Sequence, residues 1–248
     1  MTYCLAIKVD EGLVFGSDTR TSAAVDDVRT YNKAHHFEFP GERVFVVLSA
    51  GNLATTQALL QRLTQDVETA APVNLRNARS VYAAAEYLGA VSVATTRAIV
   101  QLSQSSADFR VSLIIGGQIA GQEPEIYMVY PEGNCITSSP ETPFLQIGEV
   151  KYGKPILDRA IRPQLGLHDA ARCAMVSLDA TIKSNISVGP PLDLTFLPRN
   201  TLKITHLRLD VDTPYYQEAK EAWNRQQMAA LNALPRFPWE HNGPSGTS

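Results

Sequence analysis

Residues 1–20 read MTYCLAIKVDEGLVFGSDTR, and the predicted fold follows outward from them. Over residues 2–9, Tyr3, Leu5, Ile7 and Val9 alternate with side chains that fall on the other face, and a period of two predicts a strand. A three-residue loop, Asp10-Glu11-Gly12, ends in a glycine that can take positive φ, and a second strand follows over residues 13–18. The stretch therefore predicts an antiparallel hairpin.

The register of this hairpin determines which side chains meet. If Val9 lies opposite Leu13, then Cys4 lies opposite Asp18, and Thr2 and Asp18 share one face of the hairpin. A shift of one residue would move every side chain to the other face. We take the Val9–Leu13 pairing as the expectation.

Met1 and Thr2 together suggest a reactive chain terminus. Cells usually remove an initiator methionine that precedes a small residue, so we expect Thr2 to become the first residue, with a free α-amine. Its hydroxyl could then act as a nucleophile and its amine, with an ordinary pKa of about 7.7–8.0, as the base. Many proteins begin Met-Thr, so this interpretation depends on the surrounding sequence.

That surrounding sequence supplies charge and backbone donors. Asp18 ends the second predicted strand, and Lys33 follows 15 residues later. A further strand over residues 44–49 runs through Ala50-Gly51-Asn52 into a helix that starts near Leu53. Because the N–H groups at a helix N-terminus are free to donate, this junction could stabilise an oxyanion.

The remaining pattern alternates between groups of strands and pairs of helices. A last amphipathic helix is predicted over residues 215–234, ended by Pro235. Helical spacing predicts the other helices and short apolar or alternating runs predict the other strands, in this order: helices 53–67 and 80–102, strands 110–115, 125–131, 135–137 and 144–147, helices 152–161 and 168–183, and strands 192–197 and 203–211.

Composition limits the classes of function. The 248 residues are 44% hydrophobic and 19% charged, with a net charge of −3, which excludes wholesale disorder and argues against a nucleic-acid or anionic-membrane surface. No apolar run is long enough to span a bilayer, and no signal peptide is visible. Three widely spaced cysteines fit a reducing compartment better than disulfides or a zinc site. We expect a globular cytoplasmic protein.

Four segments in this order resemble proteasome β-type subunits, which are N-terminal-nucleophile hydrolases, and among them the bacterial proteasome homologues called Anbu. The segments are Thr2-Tyr3-Cys4, Gly16-Ser17-Asp18-Thr19-Arg20, Leu48-Ser49-Ala50-Gly51-Asn52-Leu53-Ala54-Thr55-Thr56 and Ser184-Asn185-Ile186-Ser187-Val188-Gly189-Pro190-Pro191. The resemblance covers about residues 2–212.

The resemblance implies an α+β fold, the four-layer αββα sandwich of this superfamily, over residues 1–212. We expect an appended C-terminal helix over 213–235 and a mobile tail over 236–248. It also implies self-association into a large ring or an open spiral, in the manner of a double hexamer. The implied substrate is a peptide or another amide, cleaved without a metal or organic cofactor, and the implied pathway partners are amide-ligase or transglutaminase-like proteins.

The same resemblance assigns roles to individual residues. Thr2 would be the nucleophile, Lys33 would lie beside it, Asp18 would hold Lys33, Gly51 would donate to the oxyanion, and Ser187 would complete the catalytic set. The family's substrate-contacting positions correspond here to Thr21, Ser22, Ser49 and Leu53.

Two positions depart from active proteasome subunits. Glu149 stands where the family has a serine, and Ser184 stands where it has an aspartate. Glu149 could partly restore the lost charge, orient a water or repel anionic substrates, and the sequence leaves these three alternatives open. The departures motivate a second hypothesis, a scaffold or binding chamber with little chemistry. A hydrolase of a specialised small amide conjugate is a third.

Overall fold

The computed structural model describes residues 2–22, 28–103 and 106–241, and for residues 22, 28, 29 and 241 it describes the backbone only. The chain divides into two compact units, one up to Asp210 and one from Val211. The strands are β1 Tyr3–Val9, β2 Gly12–Asp18, β3 Arg20–Ser22, β4 Val28–Thr30, β5 Ala34–Phe39, β6 Arg43–Gly51, β7 Val111–Ile119, β8 Glu125–Val129, β9 Cys135–Thr137, β10 Phe144–Gly148, β11 Leu192–Pro198 and β12 Thr205–Leu209. The α-helices are α1 Leu53–Glu68, α2 Val81–Leu102, α3 Lys154–Ala160, α4 Leu167–Ser184 and α5 Pro214–Asn232.

Two five-stranded antiparallel sheets form the centre of the first unit. Their strand orders are β10-β1-β2-β11-β12 and β5-β6-β7-β8-β9, and β3 and β4 form a separate hairpin. Buried side chains of both sheets, among them Ala6, Phe15, Val46 and Ile114, make the core between them. Helices α1 and α2 cover the second sheet, and α4, with α3 against it, covers the first. This arrangement confirms the predicted αββα sandwich.

Helix α1 starts where the sequence predicts, because Asn52 caps it. The Asn52 side chain accepts a hydrogen bond from the backbone N–H of Thr55 at 3.0 Å, which satisfies one of the free donors of the first turn. The preceding strand, β6, lies inside the second sheet between β5 and β7, so the cap has a rigid base. The junction that could stabilise an oxyanion is therefore fixed in place.

The predicted register of the first hairpin was wrong by one residue. Val9 pairs with Gly12 rather than Leu13, and Cys4 pairs with Ser17 rather than Asp18. Gly12 belongs to β2 and not to the loop. The strand passes so close to β11 at this point that a Cβ on Gly12 would overlap the carbonyl oxygen of Leu197, so glycine is needed within the strand. The shared face predicted for Thr2 and Asp18 therefore does not follow from the pairing.

The sequence did not predict β5 or the β3–β4 hairpin. β5 is an edge strand that contains His35, His36 and Glu38, so its alternation of apolar and polar residues is weak. It pairs with β6 from Ala34 to Phe39, which sets the backbone just before it, at Lys33, beside the end of β6. The backbone N–H of Ser49 donates to the carbonyl of Lys33 at 3.0 Å.

The second unit contains α5 and a short 3₁₀ helix over Pro238–His241. Pro214 lies in the first turn of α5, where its missing N–H costs no hydrogen bond. Residues 242–248 of the tail that the sequence predicts to be mobile lie outside the described residues. Among the helices of the described residues, none combines the length and the hydropathy needed to cross a bilayer.

Candidate active site

A buried ion pair lies at the end of β2. The ammonium of Lys33 donates to Oδ1 of Asp18 at 2.7 Å, with side chains 6% and 0% exposed, and also to the backbone carbonyl of Arg20 at 2.6 Å. Taking two charges out of water costs free energy that only good geometry and further hydrogen bonds offset. Such a pair is more typical of a functional site than of a stabilising core.

Asp18 also contacts the backbone on both sides of the site. Its Oδ1 accepts from the N–H of Tyr3 at 3.0 Å, and its Oδ2 accepts from the N–H of Gly189 at 3.2 Å. Burial raises the pKa of the Asp18 carboxyl, while the ammonium of Lys33 and these donors oppose the rise. The carboxylate therefore lies against the Thr2–Tyr3 peptide through a backbone contact, although the hairpin register does not place it there.

Thr2 and Lys33 line one pocket of about 290 Å³. The pocket also contains Gly51, the predicted oxyanion donor, so three of the five predicted catalytic residues line the same cavity. Three of the four predicted substrate contacts line it as well, namely Thr21, Ser49 and Leu53. The fourth, Ser22, lies in β3, and its side chain is outside the described residues.

Gly51 is the residue at which β6 turns into α1. Its φ is +122°, a conformation that residues with a Cβ rarely adopt, and a Cβ there would overlap the carbonyl oxygen of Arg110. Asn52 follows and caps the helix. A glycine is therefore required on both counts, and it lets the backbone approach the pocket closely.

The residues at the end of β10 contact the backbone of Thr2. The backbone N–H of Glu149 donates to the carbonyl of Thr2 at 2.7 Å. Gly148, with φ of +83°, lies directly against that carbonyl, and a Cβ on Gly148 would overlap its oxygen. Thr2 is thus held by a backbone contact that depends on a glycine.

Ser187 and Ser184 stand apart from this group. Ser184 is the exposed last residue of α4, and Ser187 is half-buried in the loop that follows. Among the described residues, neither lines the pocket of Thr2. The N–H of Ser187 donates to Oδ1 of Asn185 at 2.9 Å. The carboxylate of Glu149, which is 7% exposed, accepts from the side-chain amide of Asn185 at 2.9 Å.

Sequence reasoning missed several residues that line the pocket. Tyr31 and Asn32 directly precede Lys33 in the chain, and Thr56 lies one turn after Leu53 on α1. The spacing of Leu53 and Thr56, three residues apart on a helix, was a usable signal. Asn185 carried no such signal, because its role depends on the path of the loop after α4.

Gly148→Ala tests whether the end of β10 positions Thr2, the nucleophile that the sequence predicts. We expect the rate at which an electrophile modifies Thr2 to fall about 10-fold or more, because the added methyl must displace the Thr2 carbonyl. Gly41→Ala is the matched control: Gly41 has a φ of +74° and open space around it, so it imposes similar backbone strain away from the site. An equal effect of both substitutions on the rate would contradict this role.

Comparison with known proteins gives the family. The model of the family described as "Proteasome subunit" matches residues 2–195. A "Proteasome subunit beta 2" from Pyrobaculum calidifontis is 25% identical over 214 residues, covering 84% of this chain and 94% of that one.

Solved structures give a nearer likeness. "Anbu (ancestral beta-subunit) from Yersinia bercovieri" is 40% identical, with a TM-score of 0.89 over 95% of this chain and 99% of that one. "Helical Assembly of the Anbu Complex from Pseudomonas aeruginosa" is 42% identical, with a TM-score of 0.89 over 96% of this chain and 98% of that one. Together these matches support a proteasome-like hydrolase. The chain therefore belongs to the proteasome subunit family, as a homologue of the bacterial Anbu proteins.

Proposed function

We propose that this protein is an N-terminal threonine hydrolase that cleaves amide bonds after loss of Met1. One observation carries the proposal: Thr2 and Lys33 line the same pocket, and Asp18, buried behind it, pairs with Lys33 and accepts from the N–H of Tyr3, the residue after Thr2. Met1 lies outside the described residues. Its removal is part of the proposal, because the mechanism needs a free amine on Thr2.

The reaction proceeds in two halves. The hydroxyl of Thr2 attacks the carbonyl carbon of the substrate, and its proton passes to the Thr2 amine, directly or through a water. The resulting oxyanion accepts from the N–H of Gly51, while the positive charge of Lys33 favours the forming alkoxide. The protonated α-amine of Thr2 then gives its proton to the nitrogen of the substrate as the carbon–nitrogen bond breaks, and an ester remains on Thr2. Water, deprotonated by the amine, attacks the ester, releases the acid and restores the hydroxyl.

The lining of the pocket suggests what it accepts. Thr21 and Ser49 supply hydroxyls, Leu53 supplies an apolar surface, and the volume of about 290 Å³ suits one side chain of a substrate better than a large ligand. A peptide or unfolded polypeptide is the simplest substrate, and a small amide conjugate is the alternative. Every step uses protein groups and water.

Self-association belongs to the same proposal. The Pseudomonas aeruginosa relative is described as a helical assembly, which supports oligomer formation by its homologues. We propose that this chain forms a large ring or an open spiral, since head-to-tail contacts close into rings or continue as helices according to their rotation.

The free thiols of Cys4, Cys135 and Cys173 support a reducing, cytoplasmic compartment. Amide-ligase or transglutaminase-like proteins are the proposed pathway partners.

The test compares native protein with Thr2→Ala on a panel of peptides and small amides. Turnover by the native protein alone supports the proposal. Equal turnover by both would contradict the role of Thr2. No turnover by either favours the scaffold, to which the exposed Ser184 and the buried Glu149 also point.

A further inference from the structure

Glu149 connects the nucleophile to the loop after α4. Its backbone N–H holds the carbonyl of Thr2 at 2.7 Å, and its Oε2 accepts from the side-chain amide of Asn185 at 2.9 Å. Its other carboxylate oxygen lies 3.4 Å from the ammonium of Lys151, which is 67% exposed. Glu149 therefore joins Thr2, through its backbone, to the loop after α4, through its side chain.

The loop continues from Asn185 back to the catalytic carboxylate. Oδ1 of Asn185 accepts from the N–H of Ser187 at 2.9 Å, a local turn that sets the direction of the chain. Two residues later, the N–H of Gly189 donates to Oδ2 of Asp18 at 3.2 Å. The side chain of Arg20 also contacts the loop, because its guanidinium donates to the carbonyl of Ile186 at 2.7 Å.

These contacts form a closed ring of hydrogen bonds within the chain, and Thr2 is one of its members. The ring runs from Thr2 through Glu149 to Asn185, along the loop to Gly189, and through Asp18 to the N–H of Tyr3, which is bonded to Thr2. The Glu149–Asn185 hydrogen bond joins two side chains, whereas the other links each use at least one backbone group. Substitution can therefore change this bond and leave the rest of the ring in place.

We infer that Glu149 and Asn185 form a latch that closes this ring and positions Thr2 against Asp18. This inference rests on the proposed function and adds Glu149 to it as a positioning residue. A carboxylate suits the latch because a charge-assisted hydrogen bond is about twice as strong as a neutral one. Because Glu149 is buried, loss of its donor leaves an acceptor without solvent, which costs more than the bond itself contributes.

Exchanging the two groups of the latch tests it. Asn185→Asp keeps an acceptor for the N–H of Ser187 but sets a second carboxylate against Glu149. We expect the maximal rate of modification of Thr2 by a β-lactone to fall about 10- to 100-fold, with the binding constant of the reagent little changed. Adding Glu149→Gln to Asn185→Asp restores an amide facing a carboxylate, and we expect the rate to return close to that of the native protein.

Lys151→Ala provides the matched control. It removes a largely exposed ammonium that lies 3.4 Å from Oε1 of Glu149, and it leaves every hydrogen bond of the ring in place, so the rate should change less than about 2-fold. A folding defect of Asn185→Asp that did not involve Glu149 would not be repaired by Glu149→Gln, because this second substitution changes only the group that faces position 185. Recovery in the double variant supports the latch. A double variant as slow as Asn185→Asp, or an Asn185→Asp variant as fast as the native protein, would overturn it.

Hydrogen exchange of the loop separates this inference from the proposed function. In the native protein the amide of Gly189 should be protected from exchange. It should exchange faster in Asn185→Asp and be protected again in the double variant. If native Thr2 is not modified but this exchange pattern holds, the proposed function fails and the latch stands as a feature of the fold. If Thr2 is modified and the pattern is absent, only the latch fails.

Discussion

Thr2→Ala is expected to lose amide hydrolysis by at least about 10³-fold, whereas Thr2→Ser should retain a measurable part of it. Removing the attacking oxygen leaves only binding and oxyanion stabilisation, and loss of a nucleophile alone costs a serine hydrolase nearly all of its catalysis. Serine keeps both the hydroxyl and the free amine. The measurement is turnover of a peptide and amide panel, with protein preparations matched in oligomeric state.

Stability should hardly change in Thr2→Ala, which makes the loss of activity interpretable. Thr2 is half-buried just before β1 and outside the clusters of buried apolar residues, so its truncation should change the free energy of unfolding only slightly. Turnover by Thr2→Ala equal to that of the native protein would remove Thr2 from the mechanism.

Lys33→Ala is expected to abolish activity and to lower the free energy of unfolding by about 3–5 kcal/mol. The substitution leaves Asp18 buried without its cation, and breaking a buried pair from one side costs this much. Without Lys33 the pKa of the Asp18 carboxyl should rise further, because burial already raises it. Urea unfolding at fixed protein concentration measures the stability, since assembly makes apparent stability depend on concentration.

A neutral replacement of both partners separates stability from catalysis. When Lys33→Met is combined with Asp18→Asn, no buried charge is left unpaired, and the introduced side-chain amide can still accept from the N–H of Tyr3. We expect most of the lost stability to return while amide turnover stays absent, because the positive charge beside Thr2 is missing. Recovery of turnover in this double variant would contradict the role given to Lys33.

The sequence was most informative where local physics determines the structure. Alternation over residues 3–9 and the cap at Asn52 each act within a few residues, so the first strand and the start of α1 were predicted closely. The register of the first hairpin was wrong, because Gly12 is placed by its approach to β11, which lies near the other end of the chain. A local pattern does not contain that contact.

The same distinction applies to the site. The meeting of Lys33 with Asp18 requires β5, an edge strand that the sequence did not reveal, so only the family resemblance anticipated it. The roles of Asn185 and Gly189 require the fold of the loop between α4 and β11. That loop is set by contacts with Asp18 in β2 and with Glu149 just after β10, and both residues lie far from it in the sequence.

The most direct test is the mass of native protein treated with an N-terminal-threonine-directed β-lactone, followed by mapping of the modified peptide. We predict a chain that begins at Thr2 and carries one added acyl group, bound as an ester to the hydroxyl of Thr2. A chain that still carries Met1 and gains no acyl group on Thr2 would contradict the account.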